Sequence, residues 1–288
     1  MIIDFHSHVY PDKIAPHALA HMQALSHNAF SINGTAAALK ASMAKAGICH
    51  NVILPVATNP DKVPHINNVS IQSTGKDGLI YFGCIHPDFP DYKQELKRLS
   101  ENGINGIKIH PLYQGTDIDD IRYLRILGTA AELGMIVVIH SGLDPAFPGD
   151  VHAAPKMTRH ALEQIGPMKM VCAHMGGLFN WDDVLTYLAP TNVYIDTSFA
   201  LGKMIPAEEN YYTEEELQLL TDDEFCNMVK VFGPDRVLFG TDSPWNDQKA
   251  TVDAINALPL SDDTKAHIFY QNAQKLLGLQ GQCDSTEV

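Results

Sequence analysis

The sequence predicts a single α/β domain with the architecture of a distorted TIM (β/α)8 barrel. Eight short runs rich in valine and isoleucine alternate with helical segments along the chain. These runs are continuously apolar, as expected for parallel strands that are buried on both faces. The length of 288 residues fits one barrel of this kind. An open, doubly wound sheet is the alternative.

The first strand, from Ile2 to Phe5, opens the chain, and Pro11 follows soon after it. Each later strand is a run of strand length that is bounded by polar or turn-forming residues. We predict these strands over residues 50–56, 79–85, 106–109, 136–139, 170–173, 193–195 and 237–239. The barrel is expected to occupy residues 1–279, and residues 280–288 are expected to form a frayed tail.

Helices are predicted between these strands, and several carry recognisable ends. Thr35 is a typical N-cap and Gly47 follows the same helix, while Gly103, Gly134 and Gly166 come directly after other helices. The predicted helices cover residues 13–26, 35–46, 63–74, 92–101, 119–133, 156–165, 181–188, 222–232, 249–258 and 262–279. A long polar insertion is expected near residues 203–216.

Composition limits the class of protein. The net charge of −14 argues against a nucleic-acid surface and against binding to anionic membranes, so a small-molecule substrate is expected. Five cysteines lie scattered without Cys-x-x-Cys spacing, which argues against a disulfide framework and against a cysteine zinc cage. Without a recognisable signal peptide, the expected location is the cytoplasm. Self-association into a homo-oligomer is compatible with such a barrel.

Polar residues follow the predicted strands at the point where each one ends. In a TIM barrel these ends form the active-site face. His6 and His8 are two residues apart, so an extended strand places both imidazoles on one side. The other strand-end residues are His86, Lys108, His110, His140, His174, Asp196 and Asp242. Any single histidine here could belong to the core, but converging imidazoles and carboxylates predict a metal site.

The metal itself is predicted from the ligand types. Imidazole nitrogens with a carboxylate suit zinc, and they also suit manganese or iron. The absence of cysteine ligands favours a catalytic site over a structural one. We therefore expect one divalent ion, with zinc preferred, and we do not favour a second ion.

Four motifs carry a resemblance to a known family. They are Asp-Phe-His-Ser-His-Val-Tyr-Pro near the start, Val-Val-Ile-His-Ser-Gly at 137–142, Cys-Ala-His-Met-Gly-Gly at 172–177 and Phe-Gly-Thr-Asp-Ser-Pro-Trp at 239–245. Together they resemble the amidohydrolase superfamily, in the family 2 branch that includes aminocarboxymuconate-semialdehyde decarboxylase. The segment 272–279 resembles the ending of that branch.

The resemblance implies roles for individual residues. His6, His8, His140 and Asp242 would hold one metal ion, and His174 would polarise the substrate or assist proton transfer. Asp242 and His174 are therefore the expected catalytic residues.

The role of Lys108 stays open. It could bridge two metal ions after carboxylation, as in some superfamily members, bind a substrate carboxylate, or pair with a carboxylate of the barrel. His110, two residues further on, belongs to the same candidate substrate or second-metal group.

The expected function is hydrolysis, in which a metal-activated water attacks the carbonyl carbon of a small lactone, ester or amide. Asp242 would accept the proton of the water, and His174 would donate to or orient the carbonyl oxygen. The alternative is nonoxidative decarboxylation, or hydration, of an unsaturated or aromatic carboxylic acid, because the same ligands serve these reactions. A barrel that binds metal without turnover is disfavoured by the complete set of ligands and acid–base residues.

Substrate contacts are less well defined by the sequence. Arg159, near the start of the helix after the fifth strand, is either a clamp for a substrate carboxylate or a surface residue. Trp245, three residues after Asp242, is either a pocket wall or ordinary packing. The loops 143–155 and 200–216 are long, carry aromatic residues and could cover the site.

Overall fold

The structure is a computed structural model, and it describes residues 1–279. The tail expected at residues 280–288 lies outside this described part. Nine strands follow one another within residues 1–279: β1 Ile3–Ser7, β2 His50–Ile53, β3 Leu79–Tyr81, β4 Gly83–Cys84, β5 Gly106–Ile109, β6 Ile136–Ile139, β7 Lys169–Cys172, β8 Tyr194–Asp196 and β9 Val237–Leu238.

The nine strands form a closed ring of eight positions. All neighbouring pairs are parallel, in the orders β1-β2-β3 and β4 to β9. Only Phe82 separates β3 from β4, and its N–H donates to Ile53 O at 3.0 Å, so the two segments are halves of one barrel strand. Phe5 N–H donates to Phe239 O at 2.7 Å and joins β1 to the end of β9. The predicted TIM barrel is confirmed, and the break at Phe82 is one of its distortions.

In the described part of the chain, twelve α-helices surround or follow the strands: α1 Ala15–Ser26, α2 Ala36–Ala46, α3 Val63–Ser73, α4 Tyr92–Glu101, α5 Pro111–Gln114, α6 Ile121–Glu132, α7 Pro155–Ile165, α8 Trp181–Tyr187, α9 Asp222–Phe232, α10 Gln248–Ala257, α11 Asp262–Ala266 and α12 Asn272–Leu277. The single helix expected over 262–279 is wrong in detail, because a π-helical turn at His267–Gln271 separates α11 from α12. The short α5 was not predicted. No helix within residues 1–279 is long and apolar enough to cross a bilayer.

The strands alternate between two apolar layers, and this alternation aims the site residues inward. Ile107, Ile109, Val137 and Ile139 pack outward against the helices. A second cluster lies inside the ring and continues onto the C-terminal helix; it comprises Ile3, Phe5, Val52, Leu54, Phe82, Ile136, Val138, Val171, Leu238, Ala273, Leu276 and Leu277. On β6, Ile136 and Val138 face the interior, so His140 follows them on the same side.

Gly106, at the start of β5, leaves no room for a side chain. A Cβ at this position would lie 2.4 Å from Phe82 Cε2 and 2.7 Å from Ile136 O. We expect Gly106→Ala to lower the free energy of unfolding by about 1–3 kcal/mol, measured by urea denaturation, because a packed core tolerates added volume poorly. The control is Gly128→Ala in α6, where a Cβ meets nothing within 4 Å. That change should stabilise the protein by about 0.5–1 kcal/mol, and an equal loss in both variants would contradict the packing account.

The cysteines differ in state within the described residues. Cys84, Cys172 and Cys226 are free. Cys49 is disulfide-bonded. The buried thiols of Cys84 and Cys172 have raised pKa values because burial disfavours the thiolate, so neither is suited to act as a nucleophile.

Candidate metal centre

His6, His8 and Asp242 converge at the end of the barrel where the strands finish. His8 Nε2 lies 3.1 Å from Asp242 Oδ1, and His6 Nε2 lies 3.5 Å from the same oxygen. One ligand atom from each residue falls within 4.8 Å of the others, which is close enough for a single ion. Two imidazole nitrogens and one carboxylate oxygen form the donor set typical of a catalytic zinc, manganese or iron site.

Backbone hydrogen bonds bring these three residues together. Asp242 N–H donates to His6 O at 2.8 Å, and His8 N–H donates to Ser243 O at 2.7 Å. Backbone hydrogen bonds therefore hold the loop after β9 against the end of β1. Asp242 has a φ of 63°, in the left-handed region that non-glycine residues seldom adopt. Strained conformations of this kind concentrate at functional sites.

The outer nitrogens of both imidazoles are already occupied. His6 Nδ1 lies 2.8 Å from Asp196 Oδ2, and His8 Nδ1 lies 2.7 Å from Leu54 O. Since these oxygens accept hydrogen bonds, each Nδ1 carries the proton and each Nε2 presents its lone pair toward Asp242. Metal-binding histidines show this arrangement, because the outer hydrogen bond fixes the tautomer and the ring. The residues present therefore fit a divalent ion.

The pKa shifts of His6 and Asp242 also suit the binding of a cation. Burial and the nearby ammonium of Lys108 lower the pKa of His6 to about 4, although Asp196 and Asp242 oppose this shift. Burial works against the charge of Asp242, yet the imidazoles of His6 and His8 hold the pKa of this carboxyl well below its usual range. A neutral imidazole and an ionised carboxylate are the forms that bind metal.

Asp196, at the end of β8, organises the inner part of the site. Besides His6, its carboxylate accepts hydrogen bonds from His174 N–H at 3.0 Å, Ser198 N–H at 3.1 Å and Ser198 Oγ–H at 2.5 Å. Burial raises the pKa of Asp196, but His6 outweighs it and the net result is a pKa of about 2. The carboxylate therefore stays ionised and can orient His6.

We expect Asp196→Asn to weaken metal binding by about 10–100-fold, because an amide cannot replace the anionic acceptor at His6 Nδ1. Competition with a chromogenic chelator measures this affinity directly. Asp183→Asn, on the exposed side of α8, is the control and should bind metal like the wild type. Equal affinities in all three proteins would show that the contact between Asp196 and His6 has no role in metal binding.

His140 does not join the other three expected ligands directly, and it pairs with His174. His140 Nδ1 lies 3.0 Å from His174 Nε2, while Leu143 O lies 3.0 Å from His140 Nε2 and Ser198 O lies 3.0 Å from His174 Nδ1. Both carbonyls can only accept, so His140 Nε2 and His174 Nδ1 each carry a proton. A hydrogen bond between His140 Nδ1 and His174 Nε2 then needs a third proton, which would give the pair of rings a positive charge. Burial opposes this charge and lowers the pKa of both imidazoles. His140 Nδ1 is thus the nitrogen that could serve as a fourth ligand.

Lys108 lies beside the ligand group. Its side chain is buried, and Nζ lies 3.3 Å from His6 Nε2. Burial lowers its pKa to about 8, an effect that Asp196, Asp242 and Asp144 partly offset. The position allows contact with a substrate held at the ligand atoms.

His110, Asp144 and His140 form a second group next to the first. The His110 and His140 rings are stacked, with centroids 4.1 Å apart and planes 15° apart. His110 Nδ1 accepts from Tyr113 N–H at 3.4 Å, which fixes its ring at the start of α5. Burial raises the pKa of Asp144 to about 6.

Three residues that the sequence offered are not part of the ligand group. Arg159 is only partly buried on α7 and donates to Glu163 Oε1 at 2.6 Å, an arrangement that favours the surface role over the substrate clamp. His86 Nδ1 accepts a hydrogen bond from Asp88 N–H at 3.1 Å, which stabilises the local turn that contains both residues. Trp245 packs against a small apolar cluster that covers this end of the barrel, comprising Leu178, Phe199, Met204, Leu217 and Leu219.

Several residues at the site were not identified from the sequence. Asp4 lies outside the ring, and its carboxylate accepts hydrogen bonds from Thr241, next to Asp242. The feature of the sequence that could have identified Asp4 is a carboxylate within the apolar run of β1. Ser198 follows Asp196 by two residues and so continues on its side of the strand. Asp144 lies in the loop after β6, where no periodicity marks it.

The chain was also compared with known proteins. A comparison with curated proteins found no match. Among solved structures, the chain is similar to 2,6-dihydroxybenzoate decarboxylase from Rhizobium, with a TM-score of 0.64, 15% identity and coverage of 97% of this chain and 99% of the other. It is also similar to 5-carboxyvanillate decarboxylase from Novosphingobium aromaticivorans complexed with manganese, with a TM-score of 0.67, 16% identity and coverage of 97% and 96%.

A third similar structure has a different assignment. It is a protein from Pseudomonas putida provisionally assigned as 2-pyrone-4,6-dicarboxylic acid hydrolase, with a TM-score of 0.66, 15% identity and coverage of 98% of each chain. At these identities the likeness concerns the fold. The family model described as Amidohydrolase matches residues 3–279. Since this match spans nearly the whole chain, the protein belongs to the amidohydrolase family, whose members include metal-dependent decarboxylases and hydrolases.

Proposed function

We propose that this chain is a metal-dependent carboxy-lyase that removes carbon dioxide, without an oxidant, from a small unsaturated or aromatic carboxylic acid. The observation that carries the proposal is the position of Lys108. It is the one lysine or arginine buried within residues 1–279, and it lies beside His6 Nε2. A substrate carboxylate paired with this ammonium is held at the reacting centre. Hydrolysis would instead require the carbonyl group of an ester, lactone or amide to lie at the reacting centre beside Lys108.

The ion would be held by His6 Nε2, His8 Nε2 and Asp242 Oδ1, with His140 Nδ1 as the fourth ligand. Zinc, manganese and iron all suit these donors. Manganese is favoured among them by the 5-carboxyvanillate decarboxylase structure of similar fold. When bound, the ion supplies positive charge that polarises a substrate oxygen and stabilises the electron pair left behind by carbon dioxide.

The residues of the chain account for the other requirements of decarboxylation. Lys108 orients the carboxylate, the carbon–carbon bond to this group breaks, and its electron pair passes into the conjugated system of the substrate. A proton must then form the new carbon–hydrogen bond. His174 delivers it from Nε2 as an imidazolium that has taken up this proton from solvent before the substrate binds, while Ser198 O holds the Nδ1–H on the opposite side of the ring. The burial of both side chains excludes water from the reacting carbon.

Hydrolysis of a lactone is the second candidate, and one observation favours it. Asp242 is ionised and lies beside His8 and His6, where a carboxylate can take a proton from water. His174 would then protonate the leaving oxygen. The protein from Pseudomonas putida of similar fold is assigned, provisionally, to a hydrolase of this class.

The two candidates are separated by their products. The metal-loaded protein is incubated with 2,6-dihydroxybenzoate, 5-carboxyvanillate and 2-pyrone-4,6-dicarboxylic acid, and carbon dioxide and ring opening are both recorded. We expect carbon dioxide from at least one of the two benzoates and no opening of the pyrone. Pyrone opening without carbon dioxide from either benzoate would favour the hydrolase and overturn the leading proposal.

A further inference from the structure

Asp144 is a carboxylate that the barrel holds in a fixed orientation above the site. It lies in the loop after β6, four residues beyond His140. Its Oδ1 accepts a hydrogen bond from Ala146 N–H at 2.8 Å, which fixes the plane of the carboxylate. The side chain is 13% exposed. This residue has no role in the proposed chemistry described above.

The second oxygen of Asp144 has no hydrogen-bond donor. His110 Nε2 lies 3.6 Å from Oδ2 and His140 Nε2 lies 3.8 Å from it, both beyond the usual limit of about 3.2 Å for an N–H donor to oxygen. No other donor within residues 1–279 reaches this oxygen. Unlike the buried unpaired oxygens of Asn51 and Gln248, Oδ2 of Asp144 is not sealed from solvent, so a donor group of a ligand can reach it.

A metal ion does not fit between Asp144 and the two imidazoles. Although one ligand atom from each residue falls within 4.8 Å of the others, the His110 and His140 rings are nearly parallel and stacked. The lone pair of an imidazole nitrogen lies in the plane of its ring, so stacked parallel rings cannot aim both lone pairs at one ion. A hydrogen-bond donor needs only the carboxylate oxygen.

The surroundings of Asp144 suit a flat organic group. The His110 ring meets Tyr113 edge to face, with centroids 4.1 Å apart. Tyr113 in turn meets Phe147, from the same loop as Asp144, with centroids 5.0 Å apart. Asp144 also lies close enough to Lys108 for its charge to oppose the lowering of the lysine pKa, and close enough to Asp242 to feel the charge of that carboxylate.

We propose that Asp144 Oδ2 accepts a hydrogen bond from a hydroxyl or amino group of the substrate, and that Asp144 thereby determines specificity. The inference rests on the proposed function, because Lys108 and the ligand group must hold the carboxylate of the substrate. Asp144 then selects molecules with a donor distant from that carboxylate. It rejects those that present a methoxy group or another carboxylate there, because two acceptors repel each other.

Calorimetric binding to the manganese-loaded protein tests this selection. The probes are benzoates that carry a hydroxyl, an amino or a methoxy group at the 3- or 4-position. The wild type should bind a hydroxyl or amino compound about 10–100-fold more tightly than its methoxy partner, as expected for a hydrogen bond to a charged group. Comparison of hydroxyl with amino identifies the natural donor. In Asp144→Leu the preference should nearly vanish, whereas Asp150→Asn, an exposed change in the same loop, should retain it.

A second measurement does not depend on the choice of substrate. If Asp144 serves binding, Asp144→Leu should leave the Tm of the holoprotein within about 3 °C of the wild type, because the only hydrogen bond within the described residues that it removes is the one from Ala146 N–H. A preference for donors that persists in Asp144→Leu, or a Tm lowered by more than about 3 °C, would overturn the inference. If none of the probes binds to the wild type, the substrate class of the proposed function is wrong, and the Tm alone decides whether Asp144 is structural.

Discussion

Asp242→Asn is expected to lower kcat/KM by at least about 10³-fold. Loss of a residue that only orients a metal ligand costs about 10–100-fold, and Asp242 contributes its own oxygen to the ligand group. The amide also places an N–H group where His6 Nε2 and His8 Nε2 now meet the carboxylate. Release of carbon dioxide from the best benzoate substrate provides the rate.

The control for this change is Asp12→Asn, which removes an exposed carboxylate and should leave the rate unaltered. Circular dichroism should give the same spectrum for both variants, because Asp242 N–H continues to bind His6 O whatever the side chain. A rate within tenfold of the wild type in Asp242→Asn would remove this residue from the reaction.

Asp4→Ala should produce the largest loss of stability. The Asp4 carboxylate is fully buried and accepts six hydrogen bonds, whose donors are His6 N, Ser7 Oγ, Asn51 Nδ2, Thr241 N, Thr241 Oγ1 and Gln248 Nε2. Alanine leaves all of these donors unpaired. Since breaking a buried charged network costs about 3–5 kcal/mol, we expect a loss of this size in urea denaturation near neutral pH.

Asp4→Asn distinguishes the contribution of the hydrogen bonds to stability from the contribution of side-chain volume. Its amide would face the side chains of Asn51 and Gln248, whose carbonyl oxygens are buried without partners. Both side chains can turn and accept from the new amide, so the loss should be smaller than for alanine. Burial raises the pKa of Asp4 to about 6 despite its hydrogen bonds, so the wild-type carboxylate is ionised at neutral pH. Equal losses in the two variants would mean that volume, and not hydrogen bonding, dominates at this position.

The sequence predicts the barrel because each strand is short, apolar and followed by a helix. It does not predict the break at Phe82, since the run from Leu79 to Ile85 is apolar throughout and only the pairing with Ile53 and Ile107 sets the division. The π-helical turn at His267–Gln271 is likewise hidden, because its residues are compatible with a continuous helix. Such irregularities depend on tertiary contacts that local patterns do not contain.

Some residues of the site can be predicted from the sequence and others cannot. His6 and His8 were identifiable from their period of two, and Asp242 from its place after the last strand. Whether His140 turns toward these ligands or toward His174 depends on side-chain rotamers and on Leu143 O, which the sequence does not specify. Asp144 was not identifiable, because loop residues follow no period and its neighbours become known only with the fold.

One divalent ion is expected to bind at His6, His8 and Asp242. The most direct test is the metal content per chain, measured by plasma mass spectrometry on protein purified without a polyhistidine tag. We expect about one equivalent in the wild type and in Asp144→Leu, and almost none in His6→Ala or Asp242→Asn. No metal in the wild type under replete conditions, or an ion lost with Asp144 and retained in His6→Ala, would contradict this account.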